Sequence, residues 1–188
     1  RFGGDVAVLD NGNNVVVVDD RSGVLDPSNS ATAVILAPDG AVIKESWVVD
    51  PRDIWSNVSS YEGGFCVRVH DILYFHDNAG ELLGQVHQID DLPEDLKFDT
   101  GRGDATRIAS HINSSLVFLA GTTDLFDSEG FELEDEDGQF RKGVQIAVFD
   151  AATQSFLSHR TVSEVSAEGD GPDDTDLIGS FGRANLAV

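Results

Sequence analysis

Residues 3–20 read GGDVAVLDNGNNVVVVDD. Two runs rich in β-branched residues, Asp5 to Leu9 and Val15 to Asp19, flank Asn11-Gly12. That dipeptide most readily adopts the positive φ angles that a tight hairpin turn needs, so the stretch predicts a β-hairpin. Weaker versions of its layout recur downstream, and glycines at Gly4, Gly64, Gly103 and Gly182 line up at the start of each. Their spacing is irregular, but the widest gap contains both acidic loops, so loop length explains most of the variation.

A second hairpin follows in ATAVILAPDGAVIKESWVV, turned by Pro38-Asp39-Gly40. After PRDIWSNVSSYEGG come FCVRV and DILYFHDNAGELLGQVHQI, in which Asp77-Asn78-Ala79-Gly80 marks another turn. DDLPEDLKFDTGRGD reads as a polar connection with a short helical turn at Pro93 to Leu96. The pattern then restarts. ATRIAS and SSLVFLAG flank His111-Ile112-Asn113, and GVQIAVFDAATQSFLSHRTVSE turns at Asp150 to Thr153.

Four short hairpin-connected strands per unit, repeated, predict an all-β fold of β-propeller blades. The expected blades cover residues 1–50, 51–90 and 103–165, with the first strand of another at 180–188. A β-sandwich uses the same strands and turns and is the alternative, but repetition at this scale favours blades. The chain has no methionine, begins at Arg1 just before a strand and stops inside ANLAV. It therefore reads as one propeller segment of residues 1–188, truncated at both ends. Closure commonly takes four to eight blades, so a larger polypeptide or assembly must supply the rest.

The stretches DVAVLDNGNNVVVV, ATRIASHINSSLVFLA with VQIAVFDAATQ, and ANLAV resemble the degenerate propeller repeats of large bacterial secreted and cell-surface proteins. The resemblance implies an extracellular or cell-surface location and carries over no catalytic residue. Asp10-Asn11-Gly12-Asn13-Asn14 is partly similar to the FG-GAP calcium loops of integrin-type propellers. Asparagines stand where those loops carry aspartates, and a plain hairpin explains them.

Charge narrows the partners. With 34 acidic against 12 basic residues, a net charge of −22 and a pI near 4.2, the chain repels nucleic acid and anionic lipid. No apolar run is long enough to insert directly into a membrane. The lone Cys66, inside GFCVRV, forms no intramolecular disulfide and reads as a small buried thiol.

Two acidic stretches are calcium candidates, because alternating carboxylates around a glycine let a turning loop wrap oxygen ligands about Ca²⁺. Glu134, Asp135 and Asp137 form one set, and Asp170, Asp173, Asp174 and Asp176 the other. Neither carries the full D-x-D-x-D-G pattern with its distal glutamate, and a solvated loop is the competing reading. The histidines at 70, 76, 87, 111 and 159 show no paired ligand spacing.

Asp50, Asp53 and Glu62 with Arg52, Arg68 and Arg107 are the residues that a hydrolase or lyase acting on polysaccharide would draw on, since that chemistry needs converging carboxylates. Trp47, Trp55 and Tyr61 are the aromatics for sugar stacking, with a core role as the alternative. Arg102-Gly103-Asp104 fits the entry to a blade, and the acceptor sequences at Asn57 and Asn113 fit turns. The expected function is a binding or structural module that presents its surface to a protein or glycan. A secreted propeller hydrolase or lyase is the alternative.

Overall fold

A computed structural model describes residues 3–19, 30–51, 56–87, 91–93, 96, 106–124, 131, 133–134 and 141–166. The described residues form twelve strands and no helix: β1 (Gly3–Val8), β2 (Asn14–Asp19), β3 (Ala31–Leu36), β4 (Val42–Asp50), β5 (Ser56–Tyr61), β6 (Gly64–Val69), β7 (Ile72–Asp77), β8 (Leu82–His87), β9 (Thr106–Ser110), β10 (Leu116–Asp124), β11 (Arg141–Asp150) and β12 (Ser155–Ser166). They make three four-stranded antiparallel sheets, each pairing its strands in chain order: β1 to β4, β5 to β8 and β9 to β12. The all-β fold of four-stranded units expected from the hairpin pattern is what the chain forms.

Glycine turns set the register. In each of the loops 9–13, 37–41 and 77–81 the first amide donates to the carbonyl four residues on, at 2.8, 2.8 and 3.0 Å. The glycine amide returns to the first carbonyl, and Gly12, Gly40 and Gly80 have φ of 85, 87 and 79°. Asn11 does not join Gly12 at positive φ, so the opening hairpin uses a longer turn ending in a left-handed glycine rather than a two-residue turn. His70 takes φ 53° in the two-residue junction between β6 and β7, a turn with no glycine to announce it.

Packing separates the three sheets by pattern. In the first sheet Val15, Val17, Ala31, Ala33 and Ile35 face the middle sheet, while alternate residues point away. The middle sheet is covered on both sides. Phe65, Val67, Val69, Ile72 and Tyr74 meet the first sheet, whereas Cys66, Leu73 and Phe75 meet Ile108, Val117, Leu119, Ala147 and Phe149 of the third. That double burial is why GFCVRV and ILYF read as continuous apolar runs. Three stacked sheets are not the two-sheet sandwich considered as the alternative.

The leading strands of successive sheets lie side by side, β1 against β5 and β5 against β9. Hydrogen bonds tie them in order. The Asp5 carboxylate accepts from the Val58 amide at 3.0 Å, and Ser110 Oγ reaches Ser59 Oγ at 2.7 Å and the Ser60 carbonyl at 2.6 Å. At one end of these strands Asp10 accepts from the Gly63 amide at 2.7 Å, and Glu62 N donates to the Ser114 carbonyl at 3.0 Å. Each first turn is thus latched to the next.

The connection after β8 departs from its polar reading. Leu92 and Leu96 are buried in the core between the middle and third sheets, and the turn there amounts to one bond from Leu96 N to the Pro93 carbonyl at 2.9 Å.

Candidate functional site

Strand β4 lies at the outer edge of the first sheet, and its pairing with β3 is interrupted by register shifts. The pairing still sets Lys44 opposite Ile35 and Trp47 opposite Ala33, on the face that meets the middle sheet. There they line a cleft of about 290 Å³ with Val49, Tyr74, His76, Gly80 and Glu81.

Gly80 makes the cleft sterically workable, because a Cβ would come within 2.9 Å of Trp47 Cη2 and 3.1 Å of Lys44 Nζ. Lys44 Nζ lies 4.6 Å from the Trp47 ring centre and donates to the Gly80 carbonyl at 3.0 Å and to Glu81 at 2.9 Å. This rim ion pair is partly solvated and contributes at most about 1 kcal/mol.

His76 forms the wall. Its ring stacks on Phe65 at 5.0 Å and meets Trp47 edge-on at 6.1 Å. Nδ1 lies 3.3 Å from the Gly80 carbonyl, which can only accept, so Nδ1 carries the proton in that contact. Nε2 is then a buried acceptor with no protein partner. Burial lowers the His76 pKa, opposed by the Gly80 bond and reinforced by Lys44. The imidazole and the indole thus form an aromatic wall between the Lys44 and Glu81 charges.

The sequence-predicted residues are dispersed. Asp50 is buried on the first sheet's inner side and accepts from Tyr74 OH at 2.6 Å. Arg68 is fully buried on the opposite face of the middle sheet, where its Nε donates to the His70 carbonyl at 3.0 Å. Glu62 is exposed in the β5–β6 turn, and the alternation of β9 turns Arg107 away from the middle sheet. The middle sheet therefore stands between Asp50 and Arg68; Arg52 and Asp53 lie outside the described residues.

Of the calcium candidates, Glu134 is exposed next to Leu133, whose carbonyl accepts from Arg141 N at 2.7 Å. Asp135, Asp137, Asp170, Asp173, Asp174 and Asp176 lie outside the described residues, as do Trp55, the tripeptide 102–104 and residues 180–188. Among the described residues no three His, Cys, Asp or Glu side chains converge as metal ligands.

Tyr61 is a core residue whose hydroxyl donates to the His76 carbonyl at 2.7 Å, and burial, then Cys66 and Asp77, raise its pKa. Cys66 is wholly buried, which raises its thiol pKa and fits the packing role expected of it. Asn57 belongs to β5 and is buried rather than in a turn, whereas Asn113 is exposed in the loop before β10. Asp10, in the turn partly similar to the FG-GAP loops, uses its carboxylate to hold Gly63 N and the Asn78 side chain. Sequence reasoning missed His76 as a site residue. Its signal lay in pairing, because only the β6–β7 register puts it across from Phe65.

No known protein family matches the chain, and no curated protein matches it. Among solved structures it has a distant likeness to PorZ, an essential bacterial surface component of the type-IX secretion system of Porphyromonas gingivalis. The identity is 14%, the match covers 84% of this chain and the TM-score is 0.26. The chain spans only 27% of PorZ's length.

Proposed function

We propose that the chain is an extracellular or cell-surface binding and structural module, built as three propeller blades within a larger propeller. Its surface is presented to a protein or glycan. One observation carries this reading: the same stacking step is used twice, first sheet on middle and middle on third, with leading strands adjacent and first turns latched in order. Radial repetition of four-stranded sheets produces that relation. Supporting a binding role, the cleft of Lys44, Trp47, His76 and Glu81 offers an aromatic edge and hydrogen-bonding groups at the outer strands. The acidic loops at 134–137 and 170–176 belong to the same proposal, with Ca²⁺ neutralising them.

The dispersal of Asp50, Glu62, Arg68 and Arg107 gives the hydrolase alternative no support. The test is to incubate the protein with immobilised neutral and acidic polysaccharides and with surface-protein extracts. Retention and released sugar are measured together. Retention without new reducing ends or unsaturated products, weakened by Trp47→Ala, is expected; product formation would overturn the reading. Chelation is expected to lower the melting temperature, and an unchanged value removes calcium from it.

A further inference from the structure

Lys44 sits in the cleft as a bound cation would. Its Nζ lies 4.6 Å from the Trp47 ring centre, inside the distance of about 6 Å at which an ammonium is attracted to an aromatic face. The same nitrogen donates to the Gly80 carbonyl at 3.0 Å and to the Glu81 carboxylate at 2.9 Å. A ring face, a carbonyl and a carboxylate converging on one point are what an ammonium ion requires, since it has three donors and no acceptor.

Core residues, rather than Lys44, hold these three groups. The indole packs against Phe65 at 6.5 Å and His76 at 6.1 Å, and His76 Nδ1 meets the Gly80 carbonyl at 3.3 Å. Lys44 itself is weakly bound. Its side chain is 29% exposed and that of Glu81 is 73% exposed, so water competes for both ends of the pair.

We propose that the cleft receives a lysine side chain of a protein partner, whose ammonium takes the place of Lys44 between the Trp47 ring, the Gly80 carbonyl and Glu81. Charge favours such a partner. A chain of −22 draws basic surfaces towards it, whereas an anion seeking Lys44 would approach against that field and compete with Glu81. Shape favours lysine in particular, because its apolar stem can lie along Val49 and Leu82 of the same cleft while its charge reaches the inner position. Lys44 then acts as an internal competitor that a partner must displace. The inference rests on the binding-module reading and names the chemistry of its partner.

The test titrates the protein with a terminally blocked peptide carrying one lysine among uncharged residues, and with the same peptide acetylated on that lysine. Binding is followed by the Trp47 indole resonance in NMR spectra at about 0.15 M salt, where long-range attraction is largely screened. Acetylation is expected to weaken binding at least about tenfold, because it removes the charge that ring and carboxylate recognise. Lys44→Ala is expected to tighten Kd about tenfold, since the site is no longer occupied from within. In that background Glu81→Gln is expected to weaken binding at least about threefold. Glu62→Gln, at an exposed carboxylate in the β5–β6 turn, is expected to leave it unchanged. Both substitutions remove one negative charge, so equal effects would mean diffuse attraction to an acidic chain and overturn the proposal. A Lys44→Ala variant that binds no tighter than wild type overturns it, as does an acetylated peptide that binds as well as the free amine. An amino-sugar oligomer that binds more tightly than the peptide overturns the assignment to a protein partner. Retention of polysaccharide or of extract proteins that is indifferent to Lys44→Ala and Glu81→Gln leaves the binding-module reading standing and overturns only this inference.

Discussion

Replacing Gly64 with alanine is expected to disrupt the centre of the molecule. A Cβ at Gly64 would stand 2.0 Å from the His76 carbonyl oxygen and 3.0 Å from Asp77 Cα, whereas unstrained contacts begin beyond about 3.4 Å. The obstacle is backbone, so no rotamer change relieves it, and β6 must move away from β7. Both strands are covered on two faces, so the displacement propagates into both cores. Overpacking costs about 1–3 kcal/mol, and disturbing the bond from Tyr61 OH to the same carbonyl adds about 1 kcal/mol. The expected loss is about 2–4 kcal/mol, a large share of a typical domain's stability. Gly12→Ala is the control: φ is 85° but nothing lies within 4 Å, so backbone strain alone costs about 1–2 kcal/mol. Urea titrations of both variants at a common m-value measure the difference. A Gly64→Ala variant within 1 kcal/mol of wild type, or no worse than Gly12→Ala, would refute the claim that close approach of β6 and β7 is rigidly held.

Asp10→Ala removes the acceptor of Gly63 N and Asn78 Nδ2, and is expected to cost about 1 kcal/mol and to speed hydrogen exchange at the Gly63 amide. Unchanged exchange would mean that the turn holds itself. Leu96→Ala is expected to lose about 2–4 kcal/mol, since Leu96 is fully buried; a loss below 1 kcal/mol would show that the connection is not part of the core. Stability is also expected to fall at both ends of the pH range. Cys66 and Tyr61 have raised pKa values, so their contribution is complete below the unfolded values of about 8.5 and 10 and is lost as pH rises. His76 has a lowered pKa, so its contribution is complete above about 6.5 and is lost on acidification. Thermal melts from pH 5 to 11 check both limbs. Cys66→Ala should flatten the curve between about pH 8.5 and 10, and His76→Phe should flatten the acid limb.

Local chemistry decides conformation in the turns and in the half-buried strands. Pro38-Asp39-Gly40 and Asp77 to Gly80 became turns because a glycine accepts positive φ, and the alternation in ATAVIL became a half-buried strand because side chains alternate across a sheet. The continuous apolar run in GFCVRV already carried the double burial of the middle sheet, although not which neighbours provide it. Leu92 and Leu96 went unread because two leucines among acids look like a solvated connection until a core is placed beneath them.

The site depended on distance in space. Asp50 and Arg68 both belong to a candidate catalytic set in one dimension, yet Asp50 meets Tyr74 on the face of the middle sheet that packs on the first, whereas Arg68 points from β6 to the other face. Lys44, Trp47, His76 and Glu81 come from two different sheets, and nothing local links them; the stacking of one sheet on another does. GGDVAVLDNGNNVVVVDD by itself determined a hairpin, because its turn and its β-branched runs act over a few residues. Only the tertiary structure decided that Asp10 latches the next sheet while Val6 and Val8 face outward, because burial and hydrogen-bond partners belong to the packed molecule rather than to the strand.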